Sequence, residues 1–233
     1  MMRWLALLVL ALGLADCGRG QRLTPTVTPA PLPFSQAWAL FTRSRFRATF
    51  EVQTSDSEKS RTSRVTWYKD GTTRQRFDLT VPMANGALRD FVVFLQGDQI
   101  VVCTSGQRAG CQQGSNAAEV GVLSLYALGF GYELEPRKSA TQLNLSAGEA
   151  QPTTVSGTVA WCYSTHASTP VPIPDTQTNI RYCFASSGAI VRRESNWLSL
   201  TGFNSVLTLV GDISTPRDSD FQLPYALTVE PTP

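Results

Sequence analysis

The chain has 233 residues, 42% of them hydrophobic and 16% charged, with a formal net charge of +2. That balance is ample for a hydrophobic core and excludes electrostatic steering towards nucleic acid. Beyond residue 17 no apolar run is long enough to cross a bilayer as a helix.

Met1 to Cys17 reads MMRWLALLVLALGLADC. Arg3 carries one positive charge, and Trp4 to Ala15 is an apolar run too short to span a membrane. This is the layout of an export signal. Leu14-Ala15-Asp16-Cys17 resembles the lipobox of bacterial lipoproteins, with Asp16 standing where Gly or Ala is usual. The resemblance implies that Cys17 becomes the first mature residue and carries the lipid. The expected location follows: exported and anchored, on the outer face of the bacterial cell membrane or in the periplasm. The cysteine count agrees. There are five (Cys17, Cys103, Cys111, Cys162 and Cys183), and lipidation gives the odd one a use.

Residues 18–33 are rich in Pro and Thr and lack an apolar period, which reads as an extended tether. The 200 residues that remain suit one domain. Phe34 to Thr42 reads as a short helix, with Ser35 as its cap and Phe34, Trp38 and Phe41 on one side. Strands follow. Arg45 to Gln53 alternates, placing Phe46, Ala48, Phe50 and Val52 on one face. Arg64 to Tyr68 turns Val65 and Trp67 inward, and Asp70-Gly71 signals a hairpin. Gln75, Phe77, Leu79 and Val81 continue the inward set, with Arg74, Arg76 and Asp78 outward as a solvated face. Phe91 to Leu95 is apolar on both faces and, with Ile100 to Val102, reads as a central hairpin about Gly97-Asp98.

Asn116 to Phe130 predicts a helix capped by Asn116, with Glu119 at capping-box spacing and Val120, Leu123, Tyr126 and Phe130 on the buried side. Gly121 within it marks close packing. Residues 131–151 carry no clear pattern. From Thr154 the strands resume: Val155, Gly157, Val159, Trp161 and Tyr163 share a face, as do Ile180, Tyr182 and Phe184. Cys162 and Cys183 point away from those aromatic faces. Ile190 to Trp197 and Leu198 to Ile213 are the last strands; Phe221 and Leu223 dock a terminal segment, and 226–233 is a loose tail.

In an oxidising compartment the remaining four cysteines form two disulfides. The sequence-local pairing is Cys103–Cys111 and Cys162–Cys183, and the other two connectivities stay open. No Cys-x-x-Cys or His pair suggests a metal, and no glycine-rich phosphate loop suggests a nucleotide. His166, the only histidine, sits in a Pro-rich stretch near Asp175, but no serine lies in a Gly-x-Ser-x-Gly elbow. It reads as a solvated loop histidine, and the chain as a protein without catalytic residues, metal or cofactor.

A short helix, long strands, an interrupting helix, the segments Ala160-Trp161-Cys162-Tyr163 and Tyr182-Cys183-Phe184, the turn to Gly188 and the closing Asp220-Phe221 together resemble the lipoprotein-carrier superfamily. That family includes periplasmic lipoprotein chaperones and mycobacterial lipid-binding lipoproteins. The resemblance covers residues 34–225. It implies an α+β, mostly β fold: a curved antiparallel sheet, a half-barrel, with a few helices packed on its concave side over an apolar cavity. Phe46, Phe50, Trp67, Phe77, Trp161, Tyr182 and Phe184 then line a site for a lipid or other hydrophobic ligand. The same side chains serve equally as core. The alternative is a structural or interaction lipoprotein of the cell surface with no small ligand, its protein partner unnamed by any motif.

Overall fold

A computed structural model of the chain describes residues 30–55, 59–82, 86–106, 109–167, 178–197 and 203–229. The expected export signal, Cys17, residues 18–29 of the expected tether and residues 230–233 lie outside the described residues, as do 168–177 with Asp175 and 198–202.

Helix α1 (Phe34–Arg43) is followed by strands β1 (Arg45–Ser55), β2 (Ser60–Asp70), β3 (Arg74–Pro82), β4 (Leu88–Gln96), β5 (Gln99–Thr104) and β6 (Gly110–Gln113). Helix α2 (Ser115–Ala127) then leads through a short 3₁₀ turn to β7 (Leu145–Ala147), β8 (Gln151–Val155), β9 (Thr158–Ala167), β10 (Thr178–Ala185), β11 (Ile190–Trp197), β12 (Phe203–Leu209) and β13 (Leu227–Val229). All strands join one sheet in the order β13-β6-β5-β4-β3-β2-β1-β12-β11-β10-β9-β7, with β8 also on β9. The fold is mostly β, a large curved antiparallel sheet that stays open, with two helices. One pairing, β13 on β6, is parallel.

Period-2 alternation builds the concave face. On β1, Phe46, Ala48, Phe50 and Val52 are buried while Arg45 and Gln53 are exposed. The β1–β2 register sets Ala48 opposite Trp67 and Phe50 opposite Val65, so one apolar face runs across both strands. Helix α1 buries Phe34, Ala37, Trp38 and Phe41 on that face. The turn between β10 and β11 comes against it at Gly188, where an added Cβ would lie 2.9 Å from the Leu40 carbonyl carbon.

Several expectations are corrected. Pro33, not Ser35, is the N-cap of α1. Gly114 is the N-cap of α2, which has no side-chain cap bond and ends at Ala127, before Phe130. Its buried residues are Ala117, Gly121 and Leu125, whereas Val120 and Leu123 are exposed. The small face wins because α2 lies close on the sheet: a Cβ on Gly121 would sit 2.9 Å from a Val102 methyl. Ser156 and Gly157, at φ of 47° and 78°, form a hairpin that splits the expected strand from Val155 into β8 and β9. The β4–β5 hairpin is not central, since only β6 and β13 lie beyond β5. Its second apolar face is covered instead: Phe94, Val101, Cys103 and Cys111 form a separate convex-side cluster with Leu223. Within the expected loose tail, Leu227–Val229 pairs with β6.

Both cysteine pairs are joined. Cys103–Cys111 links β5 to β6, and Cys162–Cys183 links directly opposed residues of β9 and β10.

Candidate functional site

The sheet brings six of the seven expected ligand residues together in a packed interior. Phe46, Phe50, Trp67, Phe77, Tyr182 and Phe184 are all buried in one cluster. Trp67 is its hub, with ring centroids 5.1 Å from Phe46, 5.3 Å from Phe77 and 5.7 Å from Phe41 of α1. Phe130, just past α2, sits 5.4 Å from Trp67 and 5.1 Å from Phe77. Trp38 meets Tyr182 at 5.4 Å. Trp161, half-buried, packs against the edge of the cluster.

A buried polar chain threads this interior and holds residues 128–138 against it. The Trp67 indole donates to Gln75 Oε1 at 2.9 Å, and the Gln75 amide donates to the Glu133 carbonyl at 3.1 Å. The Glu133 carboxylate accepts from the Gly131 amide at 2.8 Å and lies 2.5 Å from Arg193 Nε. Ser205 Oγ donates to the Leu128 carbonyl, and the Trp38 indole to that of Lys138. Burial pushes the Tyr182 hydroxyl well above the usual phenol range, and the Glu133 charge adds to that. None of these polar residues was singled out from the sequence, apart from Gln75 as inward-facing.

Of the clefts that open among the described residues, two bear on a hydrophobic ligand. One of about 240 Å³ lies where residues 30–33 lead into α1, lined by Leu32, Leu40, Val159, Trp161, Tyr163 and Phe184 among others. Tyr163 Oη donates to the Leu32 carbonyl at 2.6 Å there, seating the chain as it enters α1. Trp161 and Phe184 are thus the expected ligand residues that face open space. The other, of about 310 Å³, lies between α2 and one end of the concave sheet. Val81, Phe91, Val102, Val120 and Leu128 give it apolar walls, and Thr54, Arg61, Ser63, Arg89 and Ser124 give it polar ones.

Sequence reasoning missed this second cleft. The signal was present: Arg61 and Ser63 fall on the same alternation as Val65 and Trp67. His166 lies on β9, not in a loop; it is exposed, and its Nδ1 is 2.9 Å from Asn179 Oδ1. Arg74, Arg76 and Asp78 lie on the outward alternation, but they are half-buried and paired, not the expected solvated face. Arg76 forks onto Asp78 and lies over the rings of Tyr68 and Phe94, while Arg74 pairs with Asp70 and Asp218.

No protein-family model matches the sequence, and neither does any curated protein. Among solved structures, a LolA superfamily protein from Nitrosomonas europaea is similar at 9% identity and a TM-score of 0.41, with 83% of this chain and 99% of that one covered. MucB is similar at 14% identity and a TM-score of 0.41, covering 81% of this chain; the match spans 60% of MucB. A domain from Vibrio parahaemolyticus assigned to outer membrane lipoprotein sorting is similar at 9% identity and a TM-score of 0.38, with 76% and 89% covered. The structural neighbours of this chain thus include a LolA superfamily protein and a lipoprotein-sorting domain.

Proposed function

We propose that this chain is an exported, membrane-anchored lipoprotein that binds a lipid or other hydrophobic ligand in its half-barrel and catalyses no reaction on it. The observation that carries the reading is the cleft beneath α2, apolar along Val81, Phe91, Val102 and Leu128 and open at one end of the concave sheet. Its volume of about 310 Å³ is at the low end for ligand sites, roughly 300–1,000 Å³. That size suits one acyl chain. The two disulfides support an oxidising, exported setting. Cys17 supplies the anchor.

The test is mass spectrometry of an organic extract from the purified exported protein. A stoichiometric lipid is expected, and Ser124→Trp, which fills the cleft from the helix side, lowers its stoichiometry severalfold without unfolding the chain. A clean extract from folded, disulfide-bonded protein moves the weight to a surface interaction module. Val120 and Leu123, exposed on α2 one turn apart, favour that second reading.

A further inference from the structure

We propose that the cleft beneath α2 selects single-chain amphiphiles with an anionic head, and that Arg61 and Arg89 read the charge; this rests on the cleft being the ligand site. The inward alternation of β2 runs Arg61, Ser63, Val65, and that of β4 runs Arg89, Phe91, Val93. Each strand therefore passes from a guanidinium at the rim to buried apolar side chains within. A single-chain amphiphile has the same gradient along its length.

Both arginines line the same cleft and are exposed. Arg61 and Arg89 are in no salt bridge among the described residues, as is true of Arg43, Arg47, Arg64, Arg181 and Arg217; what sets the two apart is that both line this cleft. Among the described residues, no carboxylate forms a salt bridge with either. A guanidinium offers a planar fork that matches carboxylate or phosphate oxygens in pairs. The recognised chemistry is an oxyanion at the end of one acyl chain. The carboxylate of a fatty acid and the phosphate of a lysophospholipid both present it.

The experiment is calorimetric titration of the delipidated exported protein with palmitic acid, lysophosphatidic acid and uncharged monopalmitoylglycerol, each kept below its micelle threshold. At least one anion binds about tenfold or more tighter than the uncharged lipid. The better of the two anions identifies the head. Arg61→Gln/Arg89→Gln brings anion affinity down to the uncharged level and leaves monopalmitoylglycerol unchanged, while Arg61→Lys/Arg89→Lys keeps part of the preference. Equal binding of charged and uncharged lipids overturns the charge selection and leaves the cleft reading intact. So does a Gln variant that keeps the preference. If none of the three binds, both fall.

Discussion

Lys69 is a fully buried cation on the inward alternation of β2. Its ammonium donates to the Thr42 carbonyl at 2.6 Å, reaches the Gly71 carbonyl, and lies over the Phe41 ring. Burial lowers its pKa to about 7, and the neighbouring Asp70 charge pulls the other way. The unfolded chain keeps this proton up to about pH 10. Between those values the unfolded state binds more protons, so stability rises with pH across the window and is lost again as pH falls to about 7. Urea midpoints should increase from pH 7.5 to 9.5, and Lys69→Met should flatten that rise; an equal slope in the variant rules Lys69 out as its source. The buried Glu133–Arg193 pair sets a second expectation. Glu133→Leu strands a buried guanidinium and should cost about 3–5 kcal/mol, with Arg193→Met on top of it recovering part of the loss. A loss that the second substitution deepens would contradict this. The inward aromatic residues were legible from alternation alone. Lys69, Glu133 and Arg193 were not: inward patterns are read by apolarity, and a polar residue on the inner face looks like an outward one until its partner, distant in sequence, is seen.

At the scale of elements, period and turn chemistry carried furthest. The β2–β3 and β4–β5 hairpins follow Asp70-Gly71 and Gly97-Asp98 as read. The face of α2 was misjudged because burial follows the closeness of the approach, and that is set by Val93, Ile100 and Val102 beneath Gly121. The double-sided apolarity of β4 was visible, but not its cause, since the covering Leu223 lies far along the chain. The Ser156-Gly157 turn had a local signal, a Ser-Gly dipeptide, obscured by apolar residues on either side. The disulfides divide by what they close. Cys162–Cys183 spans 21 residues and Cys103–Cys111 spans 8. In the chain-entropy model, losing the first costs about 3 kcal/mol and losing the second about 2.5 kcal/mol. Chemical denaturation of the Cys162→Ala/Cys183→Ala and Cys103→Ala/Cys111→Ala variants should rank them in that order. The reverse ranking would show that packing around the bridge, not loop closure, dominates.

Among the described residues the half-barrel's interior is filled with side chains, and the clefts considered for a ligand lie at its margins. Its cysteines sort by place. The four within the sheet are joined in pairs, which leaves Cys17 with no partner among them. Cys17 closes an export-type apolar run, and the domain's first helix begins only at Phe34. That position is what makes Cys17 the residue proposed above to carry the lipid. No helix among the described residues is long and apolar enough to cross a membrane. A single acyl chain gives marginal, reversible binding, whereas two or more give stable anchoring. Fractionation of cells expressing Cys17→Ser should therefore find the protein in the soluble fraction, with the wild type in the membrane fraction and both showing the same urea midpoint. A variant that stays with the membrane would remove the lipid anchor from the proposal and assign attachment to the protein surface itself, where the exposed Val120 and Leu123 of α2 would be the first residues to replace.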